Sequence, residues 1–116
     1  MIAVIFEAQP AADKQADYLN LASELKPMLD EIEGFISVER FVSLATPGKL
    51  LSLSFWRDEE AVKQWRNTAF HREAQTAGRS SIFENYHLRI AHVLRDYGMD
   101  DRIQAPTDSR GVHDHD

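Results

Sequence analysis

Trp65, His71 and a run of polar residues near position 90 are the side chains here whose types and spacing suit chemistry. Trp65 lies three residues after Val62 and four before Ala69, so on a helix the three share one face. That spacing turns the indole inward, as a core aromatic or as the wall of a pocket. His71 stands beside Phe70 at the end of the same apolar stretch. Its imidazole either bonds a backbone carbonyl at a helix bend or acts as a base near neutral pH. Trp56 closes the apolar run LLSLSFW, packing on the next element or against a partner. In the segment NYHLRIAH, strand alternation puts His87 and Arg89 on one face and Tyr86 and His92 on the other. His87 beside Arg89 suits an oxyanion; the other reading is a polar rim, with Glu39 and Arg40 pairing to it across a dimer. His113 and His115 alternate with Asp in an acidic tail, but without a third fixed ligand no selective metal site is expected.

Other chemistries are absent. No G-x-G-x-x-G, phosphate-binding loop, nucleophile elbow or H-E-x-x-H occurs. The absence of cysteine removes disulfides, thiolate metal sites and cysteine nucleophiles. A net charge of −6 argues against a general nucleic-acid binder and an anionic membrane surface. No apolar run reaches the length of a membrane span, and the first ten residues read as a strand rather than a signal peptide. A cytoplasmic protein is expected.

The elements that must position these residues follow from the pattern. Met1–Ala8 is apolar and β-branched, stopped by Gln9 and Pro10. Ala11–Ile32 carries one helical stripe, with Pro27 predicting a kink or break near Lys26. After Gly34, Phe35–Ala45 and Leu50–Trp56 form a hairpin around Thr46-Pro47-Gly48-Lys49. Asp58 caps a second helix, bent near Asn67-Thr68 and reaching about Ala77, with Gly78 as its stop. Ile82–Tyr97 is the last strand. The order β-α-β-β-α-β predicts an α+β, ferredoxin-like fold: a four-stranded antiparallel sheet with helices on one face. Residues 1–97 form this domain, and 98–116 form a C-terminal arm or a mobile tail.

Both faces of the predicted sheet carry large apolar groups. Strand one offers Ile2, Val4 and Phe6 on one face and Ala3 and Ile5 on the other; strand three offers Leu51, Leu53 and Phe55 against Leu50 and Trp56. Soluble monomers rarely expose such a patch. The expectation is a homodimer joined through its sheet faces.

Two segments, LLSLSFWRDEEAVKQWRNTAFHREAQTAG and IFENYHLRIAHVLRDYG, with EIEGFISVERF before them, resemble the antibiotic biosynthesis monooxygenase (ABM) domain of the dimeric α+β barrel superfamily. The resemblance covers roughly residues 1–97 and implies a pocket between helices and sheet in each subunit. Heme degraders of the staphylococcal type carry an Asn on strand one, a helical Trp and a His further along that helix. This sequence has Glu7 near the first position, Trp65 at the second, and Ala74 or Gln75 at the third, with His71 about a turn early. The polyketide-type oxygenases place an Asn one turn ahead of the Trp, where Ala61 stands here.

The resemblance implies a small monooxygenase acting with O2 on an aromatic or quinol-like molecule, without a bound cofactor. On that reading Trp65 and His71 are catalytic, Trp65 donating its indole N–H to a substrate oxygen and His71 removing a proton. Trp56, Phe70, His87 and Arg89 bind substrate. One alternative is heme binding and degradation with a His as iron ligand; another is a non-enzymatic dimeric small-molecule binder.

Overall fold

The computed structural model describes residues 1–68, 72, 76 and 82–113. β1 (Ile2–Pro10), β2 (Phe35–Val42), β3 (Leu50–Trp56) and β4 (Phe83–His92) form one antiparallel sheet in the order β2-β3-β1-β4. With α1 (Gln15–Asp30) between β1 and β2, and α2 (Glu59–Arg66) after β3, the chain has the β-α-β-β-α-β order of a ferredoxin-like fold.

The two apolar periodicities meet on one side of the sheet. Ile2 and Val4 of β1, Val38 of β2 and Trp56 of β3 pack with Leu25, Met28 and Leu29 of α1 and Ala61, Val62 and Trp65 of α2. A second cluster joins Tyr18 and Leu21 of α1 to Phe6, Leu50, Ile82 and Phe83. Ala3, Ile5, Leu51, Leu53 and Phe55 alternate with these residues, project from the opposite face and belong to neither cluster.

Several boundaries depart from the sequence pattern, each for a local reason. α1 starts at Gln15 rather than Ala11 and runs through Pro27 as one helix. Pro27 lies on the exposed side of α1 with Ser23, whose carbonyl its missing N–H would have reached, so water can satisfy that carbonyl. β1 extends to Pro10, which pairs with Phe83 across a register shift, where a missing N–H is tolerated. β2 ends at Val42 rather than Ala45, because Ser43 Oγ accepts the N–H groups of Ala45 (3.2 Å) and Thr46 (3.0 Å) and turns the chain. β4 ends at His92 rather than Tyr97: Val93 N–H reaches the carbonyl of Met1 (3.0 Å), and β1 offers nothing beyond it. α2 ends at Arg66; Arg72 and Thr76 are again helical, with Arg72 N–H donating to Thr68 O at 3.1 Å.

The segment after β4 is ordered within itself. Arg102 lies 5.1 Å over the Tyr97 ring and donates to Gly98 O (3.3 Å) and Ser109 Oγ (2.9 Å). Asp96 N–H donates to the Gln104 side chain at 2.9 Å, and a short helix, α3 (Thr107–His113), follows. No helix among the described residues is long and apolar enough to cross a membrane.

Candidate active site

Among the described residues, α1 and α2 pack on β1, β2 and β3, and β4 meets α1 at Phe83. Ile2, Val4, Phe6 and Ala8 of β1 point toward the helices, and their partners across the strand are His92, Ile90, Leu88 and Tyr86. Directly opposed residues share a face, so these four β4 side chains also point to the helical side. Leu88 and Ile90 are nevertheless 48% and 45% exposed. Together they make an apolar floor on the helical side of the sheet, and Ile90 lies beside α2.

Above that floor lies a cavity of about 440 Å³ lined by Ile2, Ile90 and His92 from the sheet and by Arg57, Asp58 and Glu59 from the start of α2. A smaller one of about 270 Å³ continues along α2 past Glu59, Val62, Lys63 and Arg66, again with Ile90 as its base. The floor ends in an aromatic group: Phe6 sits 5.6 Å from Phe83 and 5.7 Å from Tyr86, and Tyr18 sits 5.5 Å from Phe83. The cavities are therefore lined by Ile2, Ile90 and His92 along the sheet and mainly by charged side chains along the helix. That lining suits a small molecule with one apolar face and several polar groups.

The helix wall is fixed by its cap. Asp58 accepts the Ala61 N–H at 2.9 Å, and this bond, more than the adjacent Arg57, holds its carboxyl below the ordinary aspartate range. Arg57 bridges Asp58 (2.9 Å) and Glu33 (3.2 Å), with Asp58 the larger cause of its raised pKa.

The residues singled out in the sequence do not all converge. Trp65 is 8% exposed, lies in the core beneath α2 and lines neither cavity. Trp56 is 2% exposed, its indole N–H donates to Ser54 Oγ at 2.9 Å, and its ring meets Phe35 edge-on at 5.1 Å. His87 and Arg89 project from the far face of the sheet. There Arg89 lies 3.4 Å from Glu7, whose carboxylate also meets Lys49 at 3.4 Å. Lys49, ahead of Arg89, pulls the Glu7 pKa down. His71 and Phe70 lie outside the described residues.

The floor residues Leu88 and Ile90, and Arg57 on the rim, carry no chemical signature that sequence reasoning could single out. Period-two alternation through Tyr86, Leu88, Ile90 and His92 is the signal that finds the floor together with its polar end. Among the described residues, no group of three or more His, Asp or Glu is placed to hold a metal ion.

Residues 1–77 match the family described as Antibiotic biosynthesis monooxygenase. The chain is 50% identical over 93 residues to a Pyricularia oryzae protein named Jasmonate monooxygenase ABM, covering 80% of this chain and 43% of that one. This chain thus spans less than half the length of that relative. It is 29% identical over 93 residues to the Bacillus subtilis protein YqjZ, covering 80% of this chain and 79% of the other. Among solved structures, one from Deinococcus radiodurans described as a putative antibiotic biosynthesis monooxygenase superposes with a TM-score of 0.75 at 13% identity, covering 84% of this chain and 97% of that one. A mutant form of SnoaB, a cofactor-independent oxygenase from Streptomyces nogalater, superposes with a TM-score of 0.70 at 9% identity, covering 82% and 94%. These two structural likenesses establish the shared fold.

Proposed function

The chain belongs to the antibiotic biosynthesis monooxygenase family, and from that premise we propose that it oxygenates an aromatic or quinol-like small molecule with O2 and no tightly bound cofactor. The observation that carries this reading is the exposed apolar pair Leu88 and Ile90 on the helical side of the sheet, with Ile90 lining both cavities beside α2. An exposed apolar strip inside a cleft is what a flat substrate would cover.

The chemistry follows from the substrate. A base removes a proton from an activated methylene beside a phenol or ketone, leaving a carbanion rich enough to reduce O2. One oxygen becomes a carbonyl on that carbon, and the other leaves with the two methylene hydrogens as water. The methylene supplies all four electrons, so no external reductant is required. His71 is proposed as the base and Trp65 as the side chain that fixes the substrate. Trp56 shares the buried cluster with Trp65, and Phe70 is proposed as a further substrate-binding residue. His87 and Arg89 serve the opposite face instead, where two copies of the chain stack as a homodimer. Residues 1–97 make up the oxygenase domain and 98–116 its arm. The lack of cysteine and the acidic balance fit a cytoplasmic setting.

A second substrate reading rests on one finding: the Pyricularia oryzae relative, half identical over 93 residues, is named for jasmonate. A panel of activated-methylene phenols, quinols and jasmonate, incubated under ¹⁸O-labelled dioxygen, tests both. One labelled oxygen in the product supports oxygenation and identifies the substrate class. A product whose new oxygen comes only from water overturns it.

A further inference from the structure

Among the described residues that line the larger cavity, His92 alone carries an imidazole, and the chemistry above does not use it. His92 ends β4 and pairs with Ile2 across the strand, so it shares the helical side of the sheet with Ile90 two positions back. Both side chains line the cavity of about 440 Å³, and His92 is exposed there. Two strand positions span about 7 Å, so a small molecule lying on Ile90 meets the His92 ring.

The neighbouring side chains are poor proton acceptors. Arg57 is a donor only, and it is held by Asp58 and Glu33. Asp58 accepts the Ala61 N–H and meets Arg57, which together keep its carboxyl ionised well below the ordinary aspartate range. Glu59 offers a carboxylate, which is a weaker base than an imidazole. An imidazole both takes and returns a proton near neutral pH.

Turning a methylene into a carbonyl moves two C–H protons. Loss of the first leaves the carbanion that reduces O2. The peroxide formed on that carbon takes the first proton back and becomes a hydroperoxide. A base must then take the remaining hydrogen of the carbon as a proton. The C–H electron pair closes the C=O bond, the O–O bond breaks, and the outer oxygen leaves as hydroxide. The carbon is oxidised and the peroxide oxygen is reduced, so no further electron donor enters. We propose that His92 is the base of this second step, its imidazolium then handing the proton to the departing hydroxide to make water. This rests on the oxygenase reading above, with His71 taking the first proton. The two hydrogens of a ring methylene point to opposite faces of a flat molecule. A molecule lying on Ile90 turns one of them toward the sheet, where His92 stands.

His92→Gln and His92→Asn, with His71→Ala beside them, test this division of labour. O2 consumed and carbonyl product formed are measured together, with whichever panel substrate supports uptake by the wild type. The wild type is expected to form one carbonyl per O2. In both His92 variants carbonyl formation is expected to fall about tenfold or more behind O2 uptake, the shortfall appearing as organic hydroperoxide in an iodide assay. His71→Ala is expected to lower uptake itself. Both His92 substitutions lie at an exposed strand end, so melting temperatures should move little. An unchanged ratio of carbonyl to O2 in both variants overturns the role of His92 while leaving the oxygenase reading standing. Loss of uptake in step with product also overturns it, since His92 would then act before O2 does. A wild type that consumes no O2 with any substrate overturns both.

Discussion

Gly34 and Ala61 approach so closely that a Cβ on Gly34 would lie 2.8 Å from the Ala61 Cβ. Gly34 turns the chain from α1 into β2 with φ +92°, and its carbonyl accepts the Arg57 N–H at 2.7 Å. One glycine thus sets the seat of the first turn of α2, and with it the charged wall of the cavities. Gly34→Ala combines a left-handed backbone with a steric overlap, and we expect a loss of about 1–3 kcal/mol in denaturant unfolding. An unchanged midpoint would mean that α2 is free to shift away.

The two tryptophans should separate in their effects. Trp56→Phe leaves buried Ser54 without its indole donor and shrinks a packed ring, so stability should fall by about 1–3 kcal/mol. Its effect on oxygenation should follow the loss of fold. Trp65→Phe should lower kcat/KM at temperatures where circular dichroism still reports a folded protein. Equal activity per folded molecule in the Trp65 variant would remove its substrate role.

The floor should be dispensable for folding and needed for binding. Leu88→Ser and Ile90→Ser alter exposed positions, so melting temperatures should move little. KM for an apolar substrate should rise about tenfold for each, because each removes apolar surface that the bound substrate would cover. A melting loss as large as that of Trp56→Phe would place these residues in the core instead.

Asp58 makes acid stability a test of the α2 cap. Its folded pKa lies below the unfolded value, so its stabilisation is complete above the unfolded pKa and is lost as pH falls through the folded one. Below about pH 4 the wild type should therefore lose melting temperature faster than Asp58→Asn, which keeps a capping oxygen but no charge. Parallel pH profiles for the two proteins would contradict this.

Much of the fold is legible in the sequence because single residues mark it. Gly34, the Pro47-Gly48 turn and the Asp58 cap each stand where the structure uses them. Strand ends are less legible: Val42 and His92 terminate because of Ser43 Oγ and because β1 begins at Ile2, and neither is a property of the strand's own residues. Pro27 misleads because its position on the exposed side of α1 matters more than its ring. At the candidate site, aromatic type draws attention to Trp56, whose polar atom is already satisfied inside the core. Leu88 and Ile90 are ordinary aliphatic residues by type; their pairing with Phe6 and Val4 places them on the helical side of the sheet.

Oxygen uptake tests the proposed activity most directly. Purified protein at micromolar concentration, passed over a chelating resin and titrated with hemin in parallel, is given the phenol, quinol and jasmonate panel in an oxygen electrode. The expected result is saturable O2 consumption with at least one substrate, no need for hemin, and about tenfold weaker saturation by Ile90→Ser. Background consumption with every substrate would point to a binder without activity. Consumption that appears only with hemin, alongside a saturable Soret shift lost in His71→Ala, would replace the cofactor-free mechanism with heme chemistry.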